Sequence, residues 1–195
     1  KINFKIKNLE DNYYQLDFSY NQEKHKYFFH NEKLISPINY YTKDWQSFSG
    51  KYIKVFFSNP NSTNQETVNI LDNFIASILQ EFHFSKEKIQ KLEKEKIYYY
   101  LCDSPEEIEK LTTFNTRGIY ILAYDYIVTT YKCHFHEIIH LLTNYKIEKN
   151  NLYVNPFLME GLAVSKGGRG GRAKNIIFNM GFFLNESGFA SPKEF

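Results

Sequence analysis

The sequence predicts an α+β fold: a small strand-rich opening, then a mixed twisted sheet crossed by helices. Three observations predict it. Apolar residues alternate through the first twenty positions, strand-like and helix-like runs take turns after residue 50, and one apolar helical stretch, "KCHFHEIIHLLTNY", holds three of the six histidines. The reading divides the chain into an N-terminal segment, 1–50, and a second domain, 51–195.

In the first segment Ile2, Phe4 and Ile6, then Tyr14, Leu16 and Phe18, flank the turn-like "NLEDN", which predicts a hairpin. From His25 to Ser49 the aromatics keep no clean period and Pro37 interrupts them, so this part reads as strand and loop. "KYIKVFFS" is the next strand; beyond the breaker "NPNSTN", Val68, Leu71, Ile75, Ile78 and Phe82 recur at helical spacing. "IYYYLC" is another strand. It leads into "DSPEEIEKL", where Ser104 caps, Pro105 suits the first helical position and Glu107 completes a capping box. "RGIYILAYDYIVTTY" supplies one or two strands, rich in Tyr, Ile and Val. The helix at 135–142 is apolar on most sides and therefore buried. Asn155 and Pro156 open a helix that stops at Gly167 and Gly168, and "NIIFNMGFFLNESG" forms the last.

Composition narrows the function classes. At 195 residues and 43% hydrophobic content the chain can bury a sizeable core, which excludes disorder as the default. The formal charge of +2 is spread among both signs, so nothing marks a nucleic-acid partner, and no apolar run reaches the length of a membrane span. The two cysteines, Cys102 and Cys133, are too few for a disulfide framework, and the sequence leaves open whether they meet. The start at Lys1 suggests that an upstream region has been removed, and the richness in Lys, Asn, Ile, Tyr and Phe suggests an AT-rich bacterial genome. A secreted, periplasmic or cell-envelope monomer is the expectation.

His136 and His140 are four residues apart, so on a helix their imidazoles point the same way and can share one cation. Glu137 beside them completes H-E-x-x-H, in which two imidazoles bind zinc and the glutamate takes a proton from the zinc-activated water. Zinc needs a third protein ligand. Glu160 is the candidate, because a carboxylate among Phe157, Leu158, Met159, Leu162 and Ala163, a helix suited to a core, needs a reason to be there. Gly161 next to it would let two helices approach closely. His134, two residues before His136, points away from the cation on a helix, whereas Cys133 fits either a thiolate ligand or a packed core thiol. His25, His30 and His83 have no partner pattern.

"HEIIH", followed after nineteen residues by Glu160 in "EGLA", resembles the gluzincins of the peptidase MA clan. The resemblance covers roughly Lys51 to Phe195. It implies a zincin-like catalytic domain in which His136, His140 and Glu160 hold one Zn2+ and Glu137 is the general base, acting on a peptide or protein substrate. In thermolysin-like gluzincins an acidic residue one turn after the third ligand steadies a zinc-bound histidine; here that place holds Val164, so the support must differ. The "GxMEN"-type exopeptidase signature is absent, which favours an endopeptidase. In zincins the strand before the active-site helix lines the cleft. Gly118 to Tyr126, with Gly118 and Tyr120 as candidate substrate contacts, is that segment, or else an ordinary edge strand. An oxyanion donor is also needed: Tyr145, Tyr153, Arg169 and Arg172 are within reach, and spacing selects none. "GGRGGR" reads either as a loop that grips a substrate carboxylate or as a mobile connector. The alternatives to a peptidase are a zincin-fold zinc-binding protein of the cell envelope without peptidase activity, and a metal-free interaction domain that carries the motif by coincidence.

Overall fold

The structure, a computed structural model, describes residues 3–21, 23–147 and 155–188. Its first part is a four-stranded antiparallel meander of β1 (Asn3–Asn8), β2 (Tyr13–Tyr20), β3 (Glu23–His30) and β4 (Lys33–Ile35). The expected hairpin is β1 and β2, with Phe4 opposite Phe18 and Ile6 opposite Leu16. The turns fall where short polar side chains tolerate positive φ: Asp11 and Asn12, Asn21, then Asn31 with Glu32. This sheet buries little, since Phe4 and Ile6 are exposed and Phe28 is its main core residue. Ser36 caps α1 (Pro37–Tyr41), which places Ile38 under the next sheet.

The second sheet is built from β5 (Gln46–Ser49), β6 (Ile53–Phe57), β7 (Ile97–Leu101), β8 (Gly118–Ile121) and β9 (Tyr126–Thr129), in the order β5-β6-β7-β9-β8. Strands β6, β7 and β9 are parallel, and the antiparallel β5 and β8 form the two edges. The expected division at residue 50 thus falls between β5 and β6, two paired strands of one sheet. The stretch from Gly118 to Tyr126 is a hairpin rather than one strand. A 3₁₀ turn at Leu122–Tyr124 and a left-handed Asp125 reverse the chain there.

Both faces of this sheet are covered, which is why its strands are apolar at successive positions. Ile53, Val55 and Phe57 with Ile97, Tyr99 and Leu101 face α2 (Gln65–Glu81) and α5 (Phe135–Ile147). On the other side Tyr100 and Val128 meet Ile38 of α1 and Ile108 and Leu111 of α4 (Pro105–Thr112). Ser104 caps α4 as expected, although Glu107 reaches one residue further back, accepting from the N–H of Asp103 at 2.8 Å.

Helix α3 (Lys86–Glu95), capped by Ser85, was not anticipated, because its Lys- and Glu-rich sequence carries few apolar residues to show a period. It matters to the site. Lys88 Nζ donates to the carbonyls of Tyr145 and Lys146 at 2.8 and 3.1 Å and so closes the C-terminal end of α5.

Helix α5 lies across the sheet with Ile138, Ile139, Leu141 and Leu142 fully buried. Against it packs α6 (Pro156–Gly167), followed by α7 (Lys174–Glu186). Helix α6 is not the core helix its composition suggests: Ala163 is its one buried residue, and Phe157 and Leu158 are 84% and 69% exposed. One face lies on α5 and the opposite face on solvent. No residue of α7 is buried. Among the described residues no helix is long and apolar enough to cross a membrane.

The parallel centre of the second sheet carries the stability that the exposed meander cannot. Ile127→Ala in β9, a fully buried position, should cost about 2–5 kcal/mol and lower the urea midpoint accordingly, whereas Phe4→Ala in β1 should cost under about 1 kcal/mol.

Candidate metal centre

Three side chains from two helices converge on one point. His136 and His140 are one turn apart on α5, and Glu160 comes from α6. His140 Nε2 lies 3.0 Å from His136 Nε2, and the Glu160 carboxylate oxygens lie 3.3 Å from His136 Nε2 and 3.1 Å from His140 Nε2. Donors held about 2 Å from a tetrahedral cation are set about 3.3 Å apart, so the two ring nitrogens and the Glu160 carboxylate are spaced as three ligands of one cation would be. Among the described residues this His136–His140–Glu160 group is the set of side chains that could hold a metal ion. Cys133 and His134 stand outside it.

The chemistry of the donors agrees with the geometry. The carbonyl of Gly168, 2.9 Å from His136 Nδ1, can only accept, so Nδ1 carries the proton and Nε2 presents its lone pair to the centre. The His136 lone pair and the Glu160 carboxylate facing one another this closely would be stabilised by a cation between them. The Gly168 carbonyl also answers the question raised by Val164: a backbone carbonyl at the end of α6 steadies the histidine. Burial pushes the proton affinity of His140 down, and the nearby His136 adds to that effect. The Tyr120 ring stacks on His140 with centroids 5.3 Å apart and planes 19° apart, and Asn144 Nδ2 donates both to the Tyr120 hydroxyl and to the His140 carbonyl.

Glu137 lies beside this group with its side chain 12% exposed, against 52% for Glu160. Burial raises its carboxyl above the ordinary range, the nearby His136 opposes this, and the like charge of Glu160 reinforces it. Behind it stands His134, which is not on the helix but immediately before it. His134 Nδ1 is 2.9 Å from Thr129 Oγ1, its Nε2 is 3.9 Å from Glu137 Oε1, and its backbone N–H donates to the Tyr99 hydroxyl at 2.9 Å. Burial, with help from His136 and His140, pushes the His134 imidazole down to about 4, so this ring is neutral at pH 7.

Two glycines make room for the arrangement. A Cβ on Gly118 would lie 2.2 Å from His134 Cε1, so Gly118 accommodates a side chain behind the site. The close approach of α5 and α6 is made by Gly167, whose Cβ would lie 2.5 Å from the backbone nitrogen of His136. Gly161, expected in that role, has nothing within 4 Å of its Cβ position, because it falls on the open face of α6.

Of the other expected contacts, Tyr145 is buried against Phe84, five residues and thus about 140° round the helix from His140, away from the centre. Arg169 and Arg172 line a cavity of about 180 Å3 that His136 also lines. Tyr153 lies outside the described residues. Cys102 and Cys133 are both free thiols. The sequence reading missed Thr129, Tyr99 and the Gly168 carbonyl; a backbone carbonyl has no residue-type signal at all. Compared with protein families, with curated proteins and with solved structures, the chain matches none of them.

The two glycines of α6 should respond oppositely to alanine. Gly161→Ala should raise stability by about 0.5–1 kcal/mol through helix propensity and leave metal affinity unchanged. Gly167→Ala should push α6 off α5 and weaken metal binding by about tenfold or more, as read by competition with a chromophoric chelator.

Proposed function

We propose that this protein is a zinc-dependent metallopeptidase of gluzincin type, acting as an endopeptidase. The observation that carries the proposal is the convergence of His136 Nε2 and His140 Nε2, 3.0 Å apart, on the Glu160 carboxylate, whose two oxygens lie 3.3 Å from the first and 3.1 Å from the second, beside a second, buried carboxylate that takes no part in it. Two neutral imidazoles and one carboxylate suit zinc and leave a fourth direction open on the exposed side of Glu160.

Zinc bound there would supply Lewis acidity to polarise a peptide carbonyl and to make a water molecule acidic near neutral pH. The chain's own residues do the rest. Glu137, next in sequence to His136 and near enough to feel the charges of His136 and Glu160, removes the proton from the attacking water and passes it to the departing amide nitrogen. The stacked Tyr120 ring and the Gly168 carbonyl keep the two imidazoles from turning, so the donors need little reorganisation. β8 is an edge strand beside the centre; the Tyr120 backbone donates to Glu137, and the remaining backbone groups of that edge could pair with an extended peptide. This gives a bound peptide a fixed line past the metal site.

Elemental analysis of protein purified without added metal should find one zinc per chain. Glu137→Gln should retain that zinc and lose about a hundredfold to ten-thousandfold in cleavage of a fluorogenic peptide library. His140→Ala and Glu160→Ala should lose both metal and turnover. A metal-loaded Glu137→Gln protein with full turnover contradicts the role given to Glu137, and a wild-type chain that takes up no zinc on reconstitution contradicts the whole reading.

A further inference from the structure

The "RGGR" sequence that follows α6 forms a tight hairpin. The N–H of Arg169 donates to the carbonyl of Arg172 at 3.1 Å, and the N–H of Arg172 donates back to Arg169 at 3.0 Å. Gly170 and Gly171, with φ of 57° and 74°, occupy the two central positions, where both residues must be left-handed. In such a reciprocally bonded pair the two side chains leave the ribbon on the same face, from Cα atoms about 5.5 Å apart.

Two arginine side chains thereby start from one face of the hairpin, a juxtaposition of like charges that an anion would stabilise. Among the described residues neither arginine has a carboxylate within ion-pair reach. Arg172 Nη1 is 3.7 Å from Met180 Sδ, and Lys166, the cation that precedes the hairpin, is paired with Glu81. Ala173, which follows the hairpin and precedes α7, supplies no side-chain acceptor for the first turn of that helix, so no negative group offsets the arginines from that side either.

The hairpin is also held in place beside the metal centre. Gly171 rests on the face of Tyr131, close enough that a Cβ would lie 2.9 Å from Tyr131 Cε1. Gly168, the residue before Arg169, is the one whose carbonyl holds His136. The cavity of about 180 Å3 between the hairpin and the start of α5 is lined by Arg169, Arg172, Cys133, His134 and His136, with no acidic residue in its wall.

We propose that the Arg169–Arg172 hairpin is a carboxylate-binding subsite next to the metal centre, so that the peptides this protein binds present a carboxylate to it. The identification of the ligand as a peptide rests on the peptidase reading above; the pairing of two arginines with a carboxylate does not. A planar carboxylate matches the guanidinium fork and can take donors from both arginines at once. An acidic side chain and a free C-terminus offer the same group, and the experiment separates them.

The test measures binding, by calorimetry, in the full chain carrying its metal and the Glu137→Gln substitution so that peptides are not consumed. Four blocked or unblocked probes are compared: Ac-Ala-Ala-Asp-Ala-Ala-NH₂ with its Asn counterpart, and Ac-penta-alanine acid with its amide. At least one carboxylate member should bind about tenfold tighter than its neutral partner, with the advantage shrinking as salt is raised. The pair that shows it identifies the source as side chain or terminus. Arg169→Gln with Arg172→Gln, both at exposed positions, should abolish that preference and leave the neutral peptide's affinity unchanged. Equal affinities within both pairs overturn the proposal, as does a preference that survives the double substitution. Zinc content and turnover of the wild type are read in parallel. A zinc-free, inactive chain with an arginine-dependent preference removes the peptidase reading and keeps the subsite; an active zinc protein without the preference does the reverse.

Discussion

Burying imidazoles and carboxylates without partners is costly, and this constraint organises the centre of the molecule. Helix α5 is sunk between the sheet and α6 with four aliphatic residues wholly removed from solvent, yet it and the residue before it carry His134, Glu137, His136 and His140. Each of these groups costs free energy there unless something answers it. Thr129 answers His134, the Gly168 carbonyl answers His136, and Glu160 faces the Nε2 atoms of His136 and His140. The strands and the second helix are therefore arranged about the polar residues of α5 as much as about its apolar ones.

This explains why α6 sits where it does although it is a poor core helix. Its apolar residues point largely to solvent, and the contact that places it is the narrow approach of Gly167 to the backbone of His136. The approach does two things at once. It brings Glu160, two turns earlier, over the imidazoles, and it delivers the Gly168 carbonyl to His136 at the point where α6 ends. The ion pair of Lys166 with Glu81 ties the same end of the helix to α2. A cation held by residues of both helices would add a further link between them, so metal affinity and the α5–α6 packing are coupled quantities.

The polar support on the sheet side follows the same economy. Tyr99 is fully buried, and burial drives its phenol far up, so the hydroxyl stays neutral and serves the backbone: it accepts from His134 and donates to the carbonyl of Tyr131. The sheet, the segment leading into α5 and the hairpin after α6 thus meet around Tyr131, whose ring also carries Gly171. A change in any of the three would be felt at His136.

By itself the sequence determined the order of most elements and the shared face of His136 and His140, because both depend on local spacing. Histidines four apart on a helix share a face whatever surrounds them, Asn155 and Pro156 start a helix by their own chemistry, and alternation in β1 and β2 needs no partner to be read. The tertiary structure decided what depends on distance in space. Gly161 and Gly167 look alike in the sequence, and only the side of α6 that meets α5 makes the second one the point of contact. The apolar neighbours of Glu160 suggest a core helix, but Phe157 and Leu158 are exposed; what marks Glu160 is its approach to two imidazoles. Tyr120, Thr129 and the Gly168 carbonyl became parts of the site only when β8, β9 and the end of α6 were brought against α5. Backbone groups and stacked rings carry no sequence pattern, since their role is set by what the fold places opposite them.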